Sequence, residues 1–174
     1  MTLQYKDLIS IKTKDCREEF LSVSASAPEI IVAPHNSDME PYTSNLIYIR
    51  EGAVVRLKMA AEHLRKSLPG AKLKLVYGYR HPDIQKRYFD NYFGRSLINE
   101  PNLSEFERRS NVHLLVASPD VAGHPTRGAV DVTIVKDGCE FAMGTPLLAL
   151  DMPNLIPTFT ENISPKAREN RLLL

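Results

Sequence analysis

The chain has 174 residues, with 22 Lys and Arg against 21 Asp and Glu, a net charge of +1. Hydrophobic residues make up 43% and charged residues 25%, an ordinary globular composition that excludes a disordered chain. The balanced charge also removes the electrostatic case for a nucleic-acid or membrane-surface partner, which calls for a basic face.

The N-terminus, MTLQYKDLISIKTKDC, is interrupted by charge every few residues. It has no apolar signal stretch or cleavage site, and no window is apolar enough to span a membrane, so the expected location is the cytoplasm. Cys16 and Cys139 match no metal or disulfide spacing and are expected to be half-buried thiols acting as small apolar residues. No repeat or linker interrupts the chain, which reads as one domain over residues 1–174, with an irregular region at 1–44 and a core at 45–174.

Within residues 1–44, Pro28, Pro34 and a Ser/Ala-rich stretch break up regular structure, and Glu29-Ile30-Ile31-Val32-Ala33 suits a short strand. Residues 51–68 give the clearest helix, because Val54, Leu57, Ala61, Leu64 and Leu68 recur at spacings of three and four. Pro69-Gly70 stops it. Residues 72–79 alternate, with Leu73, Leu75, Tyr77 and Tyr79 on one face, and predict a strand. Pro82 suits the first turn of a helix over 82–93, which Gly94 is expected to close. Ser104 and Glu107 form a capping box before another helix. Residues 129–135 predict a second strand, with Val130, Val132 and Ile134 on one face and Asp131 and Thr133 on the other, turning at Gly138. Ser164-Pro165 opens a last short helix, and Leu172, Leu173 and Leu174 need a partner to cover them.

Two stretches carry chemistry. In Gly123–Val135, His124 lies in a loop and Asp131 in an apolar strand. A carboxylate there must face water or a polar site, and His plus carboxylate is a normal set of zinc ligands. In the second stretch, Tyr77-Gly78-Tyr79-Arg80-His81-Pro82, Arg80 follows a strand and precedes a helix. Its planar, permanently charged guanidinium suits a carboxylate or a developing oxyanion. The plainer alternative for Arg80 is a surface pairing with Asp83 or Asp90.

Taken together, these segments resemble the D-alanyl-D-alanine dipeptidase family of zinc peptidases. TSNLIYI, from near Asn45, is similar to its entry segment, YGYRHPDIQ to its Tyr-Arg-Pro segment, and ASPDVAGHPTRGAVDVTIV to its His-and-Asp signature. MGTP at 143–146 and NRLLL at 170–174 resemble two later segments. The resemblance implies the α+β fold shared with zinc D-Ala-D-Ala carboxypeptidases and the hedgehog domain, a small and mainly antiparallel sheet with helices on one side. It further implies one Zn2+ held by His124 and Asp131, Arg80 stabilising the tetrahedral transition state, and hydrolysis of D-Ala-D-Ala or a similar small dipeptide; the charge balance separately gives the expectation of no nucleic-acid or membrane partner.

The family's closing motif, a general-base Glu three residues before a third His ligand, does not occur: the residues three before the five histidines are Val32, Ala60, Gly78, Ser110 and Val121. No third zinc ligand or base is therefore found. His81, His113 and Asp151 are the substitute ligands to consider. Leu147-Leu148 stands where the family has Phe-Asp after MGTP, the Asp there holding the substrate's amine. The expected alternative is a truncated or pseudoenzyme homologue, with impaired zinc binding, that at most binds peptide. An incomplete sheet edge at the C-terminal side would favour self-association.

Overall fold

The computed structural model describes residues 4–147, 149–150 and 152–174. Leu148 and Asp151 lie outside the described residues. In chain order the elements are α1 (Tyr5–Leu8), β1 (Phe20–Ser22), α2 (Val23–Ser26), β2 (Ile31–Val32), α3 (Glu40–Thr43), β3 (Tyr48–Arg50), α4 (Glu51–Ser67), β4 (Ala71–Tyr77), α5 (Pro82–Asn99), α6 (Glu105–His113), β5 (Asp131–Lys136), β6 (Cys139–Glu140) and α7 (Pro165–Arg171). The architecture is α+β. One sheet has the order β2-β4-β5-β6 and a separate ribbon pairs β1 with β3. In the larger sheet β2–β4 is parallel and the other two pairings are antiparallel.

The apolar stripe of α4 buries Val54, Leu57 and Leu64 against Leu73 and Leu75 of β4 and Ile134 of β5. This face of the sheet is the main core, and the strand alternation read from the sequence delivers it. The β5–β6 hairpin turns at Asp137 and Gly138, both at positive φ (51° and 78°), the two-residue turn that matches strand twist. No helix among the described residues is long and apolar enough to cross a membrane.

Three expectations need correction. Residues 1–44 are not merely irregular: they supply β1, β2 and three short helices, and place Val23, Ala27 and Ile30 in the main core. Glu18, in that same region, accepts the Gly52 N–H at 2.8 Å and so caps α4 from outside the helix. Strands of two and three residues carry too little pattern to be read locally, because their partners define them.

Secondly, Gly94 does not close α5, which runs on to Asn99. Nothing lies within 4 Å of a Cβ built there, and one glycine costs a helix only about 1 kcal/mol. What ends α5 is the buried Arg108 of α6, 2% exposed, whose guanidinium donates to the carbonyls of Ser96, Glu100 (2.9 Å) and Leu103 (3.2 Å). Accordingly α5 packs on α6, forming a helical pair around Phe89, Val112 and Val116 beside the α4-covered sheet.

Thirdly, both cysteines are exposed rather than half-buried. Cys16 lies in the loop before β1, where Arg50 reaches its sulfur, and Cys139 sits at the hairpin end. The capping box of Ser104 and the N-cap of Ser164 form as expected. Leu172, Leu173 and Leu174 are exposed.

Candidate metal and peptide site

The site forms where β4 and β5 lose their regular register. Leu75 pairs with Val132, but the next pair is Tyr77 with Asp131, so Val76 is an extra residue in β4. A bulge of this kind re-aims the side chains that follow it. Here it sets Tyr77 opposite Asp131 and carries the chain on into Gly78, Tyr79 and Arg80.

His124 opens a single 3-10 turn, His124–Thr126. Arg50 pins this turn, donating from its backbone N–H to Arg127 O at 2.9 Å and from Nε to Thr126 O at 2.6 Å. The His124 carbonyl in turn accepts the Arg80 N–H at 3.3 Å. In the side chain, His124 Nδ1 lies 2.7 Å from the Gly78 carbonyl. A carbonyl only accepts, so Nδ1 carries a proton, and in the neutral ring Nε2 is the nitrogen with the lone pair. That lone pair lies 3.6 Å from Asp131 Oδ1, too long for a hydrogen bond. Two donors on one tetrahedral zinc, at about 2.0–2.2 Å each, lie roughly 3.3–3.5 Å apart, so the pair fits two positions of one metal ion.

Gly78 is required at its place. A Cβ there would stand 2.5 Å from Ile47 Cγ2, 2.8 Å from Ile49 Cγ2 and 3.1 Å from Tyr48 O. β3 thus packs directly on the backbone whose carbonyl orients His124.

Tyr77 is the shared floor. Its ring meets the His124 ring edge-on, with centroids 5.5 Å apart, and the Arg80 guanidinium lies 4.5 Å from its centroid. Arg80 also lies 5.2 Å from the Tyr88 ring, and its Nη1 donates to Gln85 Oε1 at 2.9 Å. Gln85 is held by the Ala117 carbonyl at 2.7 Å. Arg80 is 7% exposed and makes no ion pair among the described residues, which excludes the surface pairing with Asp83 or Asp90: Asp83 lies against His81 and Asp90 against Lys86. Both tyrosines donate to Asp38 Oδ2, Tyr77 at 2.7 Å and Tyr88 at 2.6 Å. Burial first, and then the Asp38 hydrogen bond, push both phenols up from their ordinary value, so they remain neutral donors.

The structure therefore brings His124 and Asp131 together over Tyr77, with Arg80 against the same ring. Of the substitute ligands, His81 and His113 go elsewhere, and Asp151 lies outside the described residues. His81 accepts the Asp83 N–H at the start of α5 and stacks on Tyr42, and His113 packs on Tyr5 with its Nδ1 accepting from Ser118 N. Among the described residues, no group of three or more His, Cys, Asp and Glu is placed to hold a metal.

The supporting residues Asp38, Gly78, Tyr88 and Gln85 were not picked out as functional from the sequence. Gly78, set between two tyrosines inside a strand pattern, carried the one usable signal, of a close backbone approach. Asp38 carried none.

No known family's sequence model matches the chain, and no curated protein matches it either. One solved structure that it resembles is a D,D-pentapeptidase. This is the vancomycin-resistance enzyme VanY of a VanB-type cassette, as a Glu-to-Ala variant in complex with Zn(II). The two share 21% identity and a TM-score of 0.37 over 55% of this chain and 50% of that one. The chain thus spans about half the length of that enzyme, and so loose a likeness leaves the chemistry to be argued from the site's own residues.

Proposed function

We propose that His124, Asp131 and Arg80, gathered around Tyr77, form a zinc-peptidase-type site for small D-alanyl peptides, with D-alanyl-D-alanine as its first expected substrate. The observation that carries this reading is the 3.6 Å approach of His124 Nε2 to Asp131 Oδ1, with Nδ1 already tied to Gly78. An orienting acceptor on the far nitrogen is the usual partner of a metal-binding imidazole. The resemblance in the YGYRHPDIQ and GHPTRGAVDV segments supports the peptide class. A catalytic zinc takes three protein ligands; the described residues supply two, so the set fits zinc as a partial centre.

When bound, zinc supplies a polarised carbonyl and an acidified water. The chain's own contribution is better defined. Arg80 presents a fixed cation whose position is set by two aromatic rings and Gln85 before any substrate arrives. Preorganised charge of this kind stabilises a developing oxyanion without reorganisation. Asp38 acts at one remove, holding the two tyrosines that hold Arg80.

The two-ligand set favours a second reading, peptide binding without hydrolysis. Equilibrium dialysis against zinc, followed by metal analysis, separates the readings when paired with an assay for released D-alanine. The peptidase reading expects one zinc per chain, lost in His124→Ala and Asp131→Asn, with D-alanine release lost in the same variants. Peptide binding with no D-alanine release from zinc-loaded protein would favour the second reading. Zinc binding unchanged in both variants would sink the metal assignment.

A further inference from the structure

Beside the site lies a cleft of about 420 Å³, lined by Phe20, Tyr42, Leu46, Tyr48, Tyr79 and Arg127 among others, with no acidic side chain in its wall. That volume falls in the ~300–1,000 Å³ range of small-molecule sites. Arg127 caps the 3-10 turn that begins with His124, so one wall residue of the cleft is tied by that turn to the proposed metal ligand.

The Arg127 guanidinium lies against two rings, 3.5 Å from the Phe20 centroid and 4.3 Å from the Tyr79 centroid. Stacking occupies the faces of the guanidinium plane and leaves its N–H edge free. Among the described residues no carboxylate pairs with Arg127, and no acceptor takes a hydrogen bond from its side chain. Its backbone is also left-handed, at φ 62°, a conformation that costs energy in a residue other than glycine. The fold thus holds a half-buried cation, without a carboxylate partner among the described residues, against an aromatic wall. The chemistry that satisfies it is a planar anion on a short apolar stem, because a carboxylate meets the guanidinium fork through two parallel hydrogen bonds.

We propose that this cleft is a subsite for a carboxylate-bearing residue of a peptide longer than a dipeptide, with Arg127 as its receptor. The proposal rests on the peptide-site reading above and names its substrate class: an acidic peptide extended beyond D-alanyl-D-alanine.

The test is calorimetric titration of the full chain with N-acetyl-D-glutamyl-D-alanyl-D-alanine and its D-glutaminyl isostere. Charged hydrogen bonds set the scale, so the glutamyl peptide is expected to bind about tenfold tighter or more, an advantage that shrinks as salt is added. Arg127→Asn, which accepts the left-handed backbone and so keeps the fold, abolishes the preference. Arg127→Lys, with charge but no fork, keeps a reduced one. Melting curves of both variants confirm that they are folded. Equal binding of the two peptides to the wild type, or a preference that survives Arg127→Asn, overturns the subsite and leaves the peptide-site reading standing. Binding of neither peptide overturns both.

Discussion

At the scale of single residues, the site depends on a side chain that is not there. Gly78 lets β3 approach the backbone whose carbonyl fixes the His124 proton on Nδ1. Gly78→Ala forces Ile47 and Ile49 outward and crowds the Tyr48 carbonyl. Overpacking of this kind costs ~1–3 kcal/mol. The expected result is a lower midpoint in chemical denaturation, together with weaker zinc retention as the His124 tether shifts. Loss of zinc without loss of stability would show the tether to matter and the packing not to; no change in either would refute the account. Arg80 illustrates a related point. Its type and its place after a strand were readable, but its burial was not, since burial comes from Tyr77, Tyr88 and Gln85 closing around it.

At the scale of elements, α5 and α6 behave as a unit joined by Arg108. The side chain donates to the carbonyls of Ser96, Glu100 and Leu103. The first two also accept the backbone N–H groups of Glu100 and Leu103, so the guanidinium adds a second donor to each and ties the three carbonyls to α6. Arg108→Met removes three charged hydrogen bonds at once and takes the side-chain donor from the Leu103 carbonyl, for an expected loss of ~1–3 kcal/mol. Denaturant unfolding measures the loss, and limited proteolysis should open the 96–103 segment first. A change below ~0.5 kcal/mol would mean that solvent replaces the guanidinium at no cost. The same pair shows how much was legible. Long elements with a full period, such as α4 and β4, and ends with side-chain caps, such as those at Ser104 and Ser164, are written locally. The true end of α5 is written in a residue of the next helix, and β1 and β2 are written in their partners β3 and β4. The register slip that builds the site left no mark in the apolar alternation, because Val76 is as apolar as its neighbours.

At the scale of the whole molecule, the N-terminal helix is docked through a small titrating cluster more than a hundred residues away in sequence. Tyr5 donates to Asp120 at 2.8 Å and packs at a tilt against the rings of His113 and Phe106. Burial holds the His113 imidazole below its usual value, the nearby Asp120 opposing. Burial also works against ionised Asp120, but hydrogen bonds from Ser118 and Tyr5 outweigh it and hold that carboxyl below its usual value. For His113 the unfolded chain takes up its proton first as pH falls, so the stability it contributes is complete above about 6.5 and is lost as pH drops through the folded value. The Asp120 contribution has the same sign at lower pH. It is present above the ordinary carboxylate value and lost as pH falls through the depressed one. Protonation at His113 Nδ1 also breaks the acceptor that Ser118 N uses. The melting temperature should therefore fall as pH is lowered from neutrality, and His113→Gln should flatten the first part of that fall. An equally steep profile in the variant would place the acid sensitivity elsewhere.

The extra residue in β4 has a consequence for how this sequence tolerates change. Side chains on a strand obey parity, and Val76 inverts it for everything downstream. Deleting Val76 would give a more regular ladder with β5. It would also turn Tyr77, Gly78 and Arg80 to the wrong sides and unhook the carbonyl that aims His124. Tidying the sheet and keeping the site are opposed goals at this position, so a stabilising redesign guided by strand regularity alone would erase the chemistry while improving the scaffold.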